Sequence, residues 1–390
     1  MRLLRGPLAR QAVERQVGHD PRAGLAANIN DGLVGATEHV LHRLKIEPLP
    51  RHVGRLLVLL IHLRETRDGI ESLNASPANP VVVKDISGNS YDITTNTFAN
   101  AVARTPTPGL NGYSGYQIFA NDAYSVYHSV QTTLSRRWGR SYFQTAYTFS
   151  KNIDATSTGN TANNTAFNDE STLLNSRGLS DFDRPHRLSA TYVYELPIFR
   201  NSSGVPRAAL AGWSISGVTT VQSGTPFSVL DSAGGQAFLA AGSSPVSASL
   251  TPGFDVSQGY TSGNIHSRLN GYLNAAAFTT APLLYPTQCG AGNSNFCTTG
   301  FGDLGRNIYL GPTQQNWDFS LIKHFRLNER TDLRFTADFF NIWNHANFAN
   351  PAVTDIETYV GNPTSSSPFG KIVNTIGTPR LIQFSLRLAF

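Results

Sequence analysis

The chain has 390 residues, of which 15% are charged, with 34 glycines and 21 prolines; this mix argues against a helical enzyme and suits many strands joined by turns and loops. A net charge of +5 is thin over this length. With no basic stripe interleaved with aromatics, it argues against a nucleic-acid partner. Mean hydropathy is −0.21 and no apolar run approaches the roughly 20 residues of a transmembrane helix, which leaves open a β-barrel, where only alternate residues need be apolar.

Residues 1–73 stand apart. They hold none of the 40 aromatic residues (4 Trp, 14 Tyr, 22 Phe) and five of the ten histidines. Their one apolar run, RLLVLLIHLRE (Arg55–Glu65), is expected as a short helix in an otherwise irregular or helical segment. It sits too far from Met1 for a signal peptide and lacks a small-residue cleavage site. The segment reads as a misassigned start or frameshifted stretch, against an extra helical domain or anchor. No targeting signal is visible, which conflicts with an exported protein. The domain division is therefore 1–73, atypical, and 74–390, strand-rich. Within the second part, Asn79–Thr95 is expected as a hairpin in a loop.

From Tyr127 onward the chain reads as period-2 strands, in which successive side chains point to opposite faces. VYHSVQTTLS (Val126–Ser135) and GWSISGVTTVQ (Gly212–Gln222) are the less regular runs. In SYFQTAYTFS, Phe143, Tyr147 and Phe149 oppose Gln144, Thr148 and Ser150. In HRLSATYVYEL, Leu188, Tyr192 and Tyr194 oppose Arg187, Ser189 and Glu195. In NWDFSLIKHF, Trp317, Phe319 and Leu321 oppose Asp318, Ser320 and His324. In DLRFTADFFNIW, Leu333, Phe335 and Phe339 oppose Arg334, Thr336 and Asp338. In RLIQFSLRLAF, Ile382, Phe384, Leu386, Leu388 and Phe390 oppose Gln383, Ser385 and Arg387. The runs are about 10 residues long, enough for a tilted strand to cross a bilayer core of roughly 30 Å.

The connections alternate. RWGR and RLNER are tight and the link Pro197–Ala209 is moderate; the segments 151–185, 223–315 and 345–379 are long. That puts all short turns at one end and all long loops at the other, as in outer-membrane barrels. Trp138 and Trp213 then fall at the short-turn, periplasmic rim, and Trp317 and Trp343 at the external rim, as an aromatic girdle. About seven long strands are visible, so more strands must complete a barrel. Cys289 and Cys297, eight residues apart in a Gly/Asn/Ser loop, are candidates for a small disulfide in an oxidising compartment or are two unpaired loop thiols.

The run FGDLGRNIYLGPTQQNWDFSLIKHFRLNERTDLRFTADFFNIWNHANFANP, followed by FGKIVNTIGTPRLIQFSLRLAF, resembles the C-terminal barrel of the Oar-like TonB-dependent receptors, which carry a carboxypeptidase-regulatory-like domain. YHSVQTTLSRRWGRSYFQTAYTFSKNID, SDFDRPHRLSATYVYELP and GWSISGVTTVQSGTPF agree with it, and the resemblance covers residues 74–390. It implies a 22-stranded barrel filled by an N-terminal plug and coupled through a TonB box, neither of which is recognisable in the chain. The expectation is therefore a fragment of a receptor for substrate uptake, in the outer membrane. The resemblance also makes Ile382, Phe384, Leu386, Leu388 and Phe390 the terminal strand read by the barrel-assembly machinery. The expected partners are outer-membrane lipid, that machinery, and the TonB complex only through a missing N-terminal region.

No catalytic set is present: no P-loop, HExxH or CxxC, and no GxSxG at a strand–turn–helix elbow. The expectation is no enzyme, no cofactor and no metal. Asp181, Asp183 and His186 in DFDRPHR read as a loop–strand junction rather than metal ligands. Asp154, Asp169 and Glu170 read as a solvated acidic loop rather than a weak Ca²⁺ site. GDLGRN (Gly302–Asn307) resembles a dinucleotide loop without the βαβ context that would make it one. Ligand contact is expected in the long loops at residues the sequence does not single out. Two other readings are a non-transporting surface or adhesion protein and a soluble all-β carbohydrate-binding module.

Overall fold

The structure, a computed structural model, describes residues 38–44, 55–72, 81–84, 90–93, 117–157, 167–168, 176–198, 211–232, 234–235, 246–282, 300–326, 331–354, 356, 360 and 367–390. The chain divides into Met1–Gly35 and Ala36–Phe390, and all described residues lie in the second unit.

The fold is all-β and antiparallel. Nine strands form the path of one ten-stranded sheet, each pairing with the next: β1 (Glu38–Leu44), β2 (Arg55–Ser72), β3 (Gln117–Trp138), β4 (Ser141–Asp154), β5 (His186–Glu195), β6 (Trp213–Gln222), β7 (Gln314–Arg326), β8 (Asp332–Phe340) and β9 (Leu381–Ala389); the tenth, Gly178–Leu179, pairs with the end of β4 off this path. This is an up-and-down meander, the connectivity of membrane barrels. Among the described residues no ladder joins β9 to β1, so the sheet has two edges. At about 3.3 Å per residue, the 22-residue β3 extends roughly 70 Å. It is therefore far longer than a bilayer core requires, as is the 18-residue β2 paired along it.

The strand ends sort every connection. The segments 45–54, 139–140, 196–212 and 327–331 fall at one end of the sheet, and 73–116, 155–185, 223–313 and 341–380 at the other. The β3–β4 turn needs only Gly139 and Arg140, with Gly139 at φ +56°, a conformation glycine adopts without steric cost. The hairpin expected in Asn79–Thr95 is present as Val81–Lys84 paired with Ser90–Ile93.

One expectation is corrected. Arg55–Glu65 is not a helix in an irregular segment; it is the first half of β2, in register with β3 from Arg55↔Ser135 to Arg67↔Ala123. Its apolar residues fall at successive positions from Leu56 to Ile61 rather than at every second one, so the strand has no period to read. The register sets Leu57, Leu59 and Ile61 opposite Thr133, Gln131 and Ser129. A long neighbour ladder fixes its conformation, not its pattern.

The registers merge the alternations into two continuous faces. One face carries Val130, Phe149, Leu188, Tyr192, Ile215, Phe319, Leu321, Phe335, Phe339, Phe384 and Leu386 on adjoining strands. The other carries Gln131, Thr148, Ser189, Ser216, Ser320, Thr336 and Ser385 with Arg187, Arg334, Arg387, Asp318 and Asp338. Most exposed large apolar strand residues lie on the first face, among them Val130, Tyr147, Phe149, Leu188, Phe384 and Leu386. Water would not retain such a surface on a soluble domain. Lys323 is the one cation placed amid this face on β7. It is buried, donates from Nζ to the Ala211 carbonyl, and lies 5.7 Å from the Trp213 ring centroid and 4.9 Å from that of Phe325. Its stem is thus covered by apolar surface while its head reaches a backbone acceptor at the short-turn end.

Candidate functional site

The long-loop end is a folded lobe, not a fringe of independent loops. Phe227, Val229, Ala248, Tyr272, Leu273, Phe278, Leu304 and Tyr309, all from the β6–β7 connection, pack with Phe348, Ile356, Phe369 and Ile372 from the β8–β9 connection in one buried cluster. Short pairings pin it: Pro226–Phe227 with Tyr309–Leu310, Ser249–Leu250 with Phe278–Thr279, and Asn347–Phe348 with Thr375–Ile376. Burying each such side chain contributes roughly 1.5–3 kcal/mol, which makes the lobe a stable platform. Three tyrosines lock its middle. The hydroxyls of Tyr260 and Tyr272 donate to the Leu310 carbonyl at 3.1 and 3.0 Å, and that of Tyr309 to the Val256 carbonyl at 3.1 Å. Burial pushes Tyr272 and Tyr309 up to about 12 and raises Tyr260. The Arg268 guanidinium lies 4.2 Å from the Tyr272 ring centroid and donates to the Tyr272 carbonyl at 3.2 Å.

A buried ion pair ties the lobe to the β4–β5 connection. Arg306 Nη1 donates to Asp154 Oδ1 at 2.8 Å and to the carbonyls of Asp154 and Ser176 at 3.1 Å each; Nη2 donates to Ser157 Oγ. The Asp154 side chain is fully buried and that of Arg306 is 10% exposed. Ser157 Oγ also donates to the Asp154 carboxylate. Asn307 extends the tie, donating from Nδ2 to the Leu179 carbonyl at 2.7 Å and to Asp181 Oδ1 at 2.6 Å. Gly178 is required here, because a Cβ at that position would lie 2.5 Å from the Arg306 carbonyl oxygen. GDLGRN therefore serves as the loop that delivers Arg306 and Asn307, with Asn307 at φ +56°.

The acidic residues of DFDRPHR go separate ways. Asp181 meets Arg306 and Asn307. Asp183 Oδ1 accepts the Asn152 N–H at 2.6 Å, its Oδ2 is buried without a hydrogen-bond partner, and burial raises its pKa. His186 turns to the apolar face, with Nδ1 2.7 Å from the Tyr147 hydroxyl and its ring stacked on Tyr147. Among the described residues no group of three His, Cys, Asp or Glu is placed to hold a metal ion. Asp169, Glu170, Cys289 and Cys297 lie outside the described residues.

The register sets Trp138 and Trp213 at the short-turn end, and Trp317 and Trp343 at the long-loop end. Trp138, Trp213 and Trp317 take positions on the apolar face, and Trp343, beyond β8, is 69% exposed. The terminal strand holds Ile382, Phe384, Leu386 and Leu388 opposite Phe339, Ala337, Phe335 and Leu333, with no partner on its far edge among the described residues and Phe390 fully exposed. Sequence reasoning missed the ion pair and the lobe core. Their partners lie 152 residues apart and follow no period.

Comparison with known proteins bears on this arrangement. A family profile described as the outer membrane beta barrel domain matches residues 62–383, starting inside β2 and ending inside β9. No curated protein matches the chain. Among solved structures, the outer membrane transporter YddB from Escherichia coli is 10% identical with a TM-score of 0.38; the match covers 91% of this chain and 32% of the transporter. The chain thus spans about a third of that transporter's length.

Proposed function

The chain belongs to the outer membrane beta barrel domain family, and from that premise we propose that it is the C-terminal barrel part of an Oar-like TonB-dependent receptor for substrate uptake in the outer membrane. The observation that carries the reading is the two-faced meander. Its apolar face is continuous across strands long enough to cross a bilayer, and its polar, charged face is suited to a lumen. The resemblance of residues 74–390 to those receptors supplies the finer assignment.

In this reading the apolar face meets lipid, the Trp138, Trp213, Trp317 and Trp343 side chains sit at headgroup depth, and the lobe projects outside, where substrate first makes contact. Both sheet edges must be paired within lipid, because each unsatisfied backbone group there costs several kcal/mol. Further strands of the receptor would supply the pairing. β9, with its open edge and terminal Phe390, is suited to docking by strand addition on the assembly machinery. The scaffold's work is binding and passage rather than catalysis, and the proposed receptor needs no cofactor.

The test is cross-linking in cells. The receptor carrying this barrel is expected in the outer-membrane fraction, dependent on the assembly machinery for insertion and cross-linked to TonB. Recovery as a soluble protein contradicts the reading at its base. Stable insertion without any TonB contact favours an adhesive surface protein instead.

A further inference from the structure

On the polar face, β7, β8 and β9 place three basic residues in one cross-strand row: His324 opposite Arg334, and Arg334 opposite Arg387. Like charges set directly opposite one another in a sheet are destabilising. His324 is compensated by Asp332, with Nδ1 3.0 Å from Oδ2. The arginines are not. Among the described residues neither side chain forms an ion pair or hydrogen bond, and Arg334 Nε is buried without a partner. A buried polar group without a partner is costly, the more so when charged, so the arrangement favours an anion that both guanidiniums can share.

There is room for one. A recess of about 300 Å³ opens beside the pair, lined by both arginines and the hydroxyl side chains of Ser216, Ser320, Thr336 and Ser385. Asp338 lines the same recess four residues along β8 from Arg334, and its carboxylate is occupied by the Ser320 hydroxyl. The recess is therefore polar along its length, cationic at the arginines and anionic at Asp338.

We infer that Arg334 and Arg387 form a carboxylate-binding site on the polar face. The planar fork of a guanidinium matches the two oxygens of a carboxylate, and two forks from adjacent strands enclose it. The hydroxyls offer further donors. Asp338 lines the recess away from the arginines and leaves them as its cationic end. The site rests on the register of β7–β9 and not on coupling to TonB, so its failure and the failure of the receptor reading are separate results.

The experiment is calorimetric titration of the purified full chain in detergent micelles at low ionic strength, with succinate in one arm and a terminally blocked glutamate-containing peptide in the other. Saturable binding is expected, weakened at least tenfold in the R334Q/R387Q double variant and unchanged in R136Q, which alters an exposed arginine on the opposite face. Succinate binding identifies a free small carboxylate as sufficient; binding of the peptide alone identifies a carboxylate carried by a polypeptide, and either supports the site. Should the double variant fail to insert in micelles, R387Q alone, on the exposed edge strand, is expected to weaken binding at least threefold. No saturable binding in either arm, or an equal loss in R136Q, overturns the inference.

Discussion

The fully buried Asp154 carboxylate pairs with Arg306, and that side chain spends its donors on Asp154, Ser157 and the Ser176 carbonyl. Removing one member of such a pair strands the other in a low dielectric, at about 3–5 kcal/mol. Arg306→Ala is therefore expected to loosen the tie between the β4–β5 connection and the lobe, read as faster amide exchange at Ser176–Ser180 with β7 and β8 unaffected. Pairing it with Asp154→Asn should recover much of the loss, because no buried charge is left alone. Asp183 works in the opposite sense. Burial raises its folded pKa above the ordinary 3.8, so its ionisation is a cost of folding. That cost is absent below the unfolded value, grows as pH rises through the raised folded value, and persists at neutrality. Asp183→Asn keeps an acceptor for the Asn152 N–H and does not titrate. The variant should gain stability over the parent protein between about pH 4 and pH 7, and the two should converge in acid, measured by loop proteolysis across that range. Neither behaviour is legible from DFDRPHR or GDLGRN as strings. The partners meet only once the meander has brought 152 residues of chain back on itself.

At the scale of strands, legibility tracks periodicity. β4, β5, β7, β8 and β9 alternate apolar and polar residues, and both faces could be assigned from the sequence before any register was known. β2 resisted because RLLVLLIHL is apolar at successive positions, a pattern shared by buried helices and buried strands. The lobe resisted for another reason. Phe227, Tyr272, Phe278, Phe348 and Phe369 are scattered through Gly- and Pro-rich connections, and their convergence depends on two loops emerging side by side from β6–β7 and β8–β9. The faces themselves make an element-level prediction on β9. Leu386→Arg places a charge on the apolar face opposite Phe335 and should cost about 2–4 kcal/mol near the bilayer midplane. Gln383→Arg, three residues away on the polar face opposite Asp338, should be tolerated. Urea refolding into lipid vesicles compares the two, and equal costs would mean the faces are wrongly assigned.

For the molecule as a whole, what matters is that eight successive connections alternate ends while the six registers from β3 to β9 keep one face apolar. A single slipped strand would turn its whole apolar set to the polar side, so agreement across β3 to β9 is a property of the entire sheet. It also explains why the lobe can be rigid and the sheet still have edges. The loops bury their own core at one end, whereas the strands bury their apolar face only against what surrounds them. The central claim is that lipid surrounds them. It is tested by spin labels placed singly at positions 382 to 388 in a protein with Cys289 and Cys297 replaced, reconstituted in its membrane, and scored for collision with oxygen and with a water-soluble nickel chelate. Labels at 382, 384, 386 and 388 should be oxygen-accessible, and those at 383, 385 and 387 nickel-accessible. Reversed alternation, or uniform nickel access along the strand, would contradict the account.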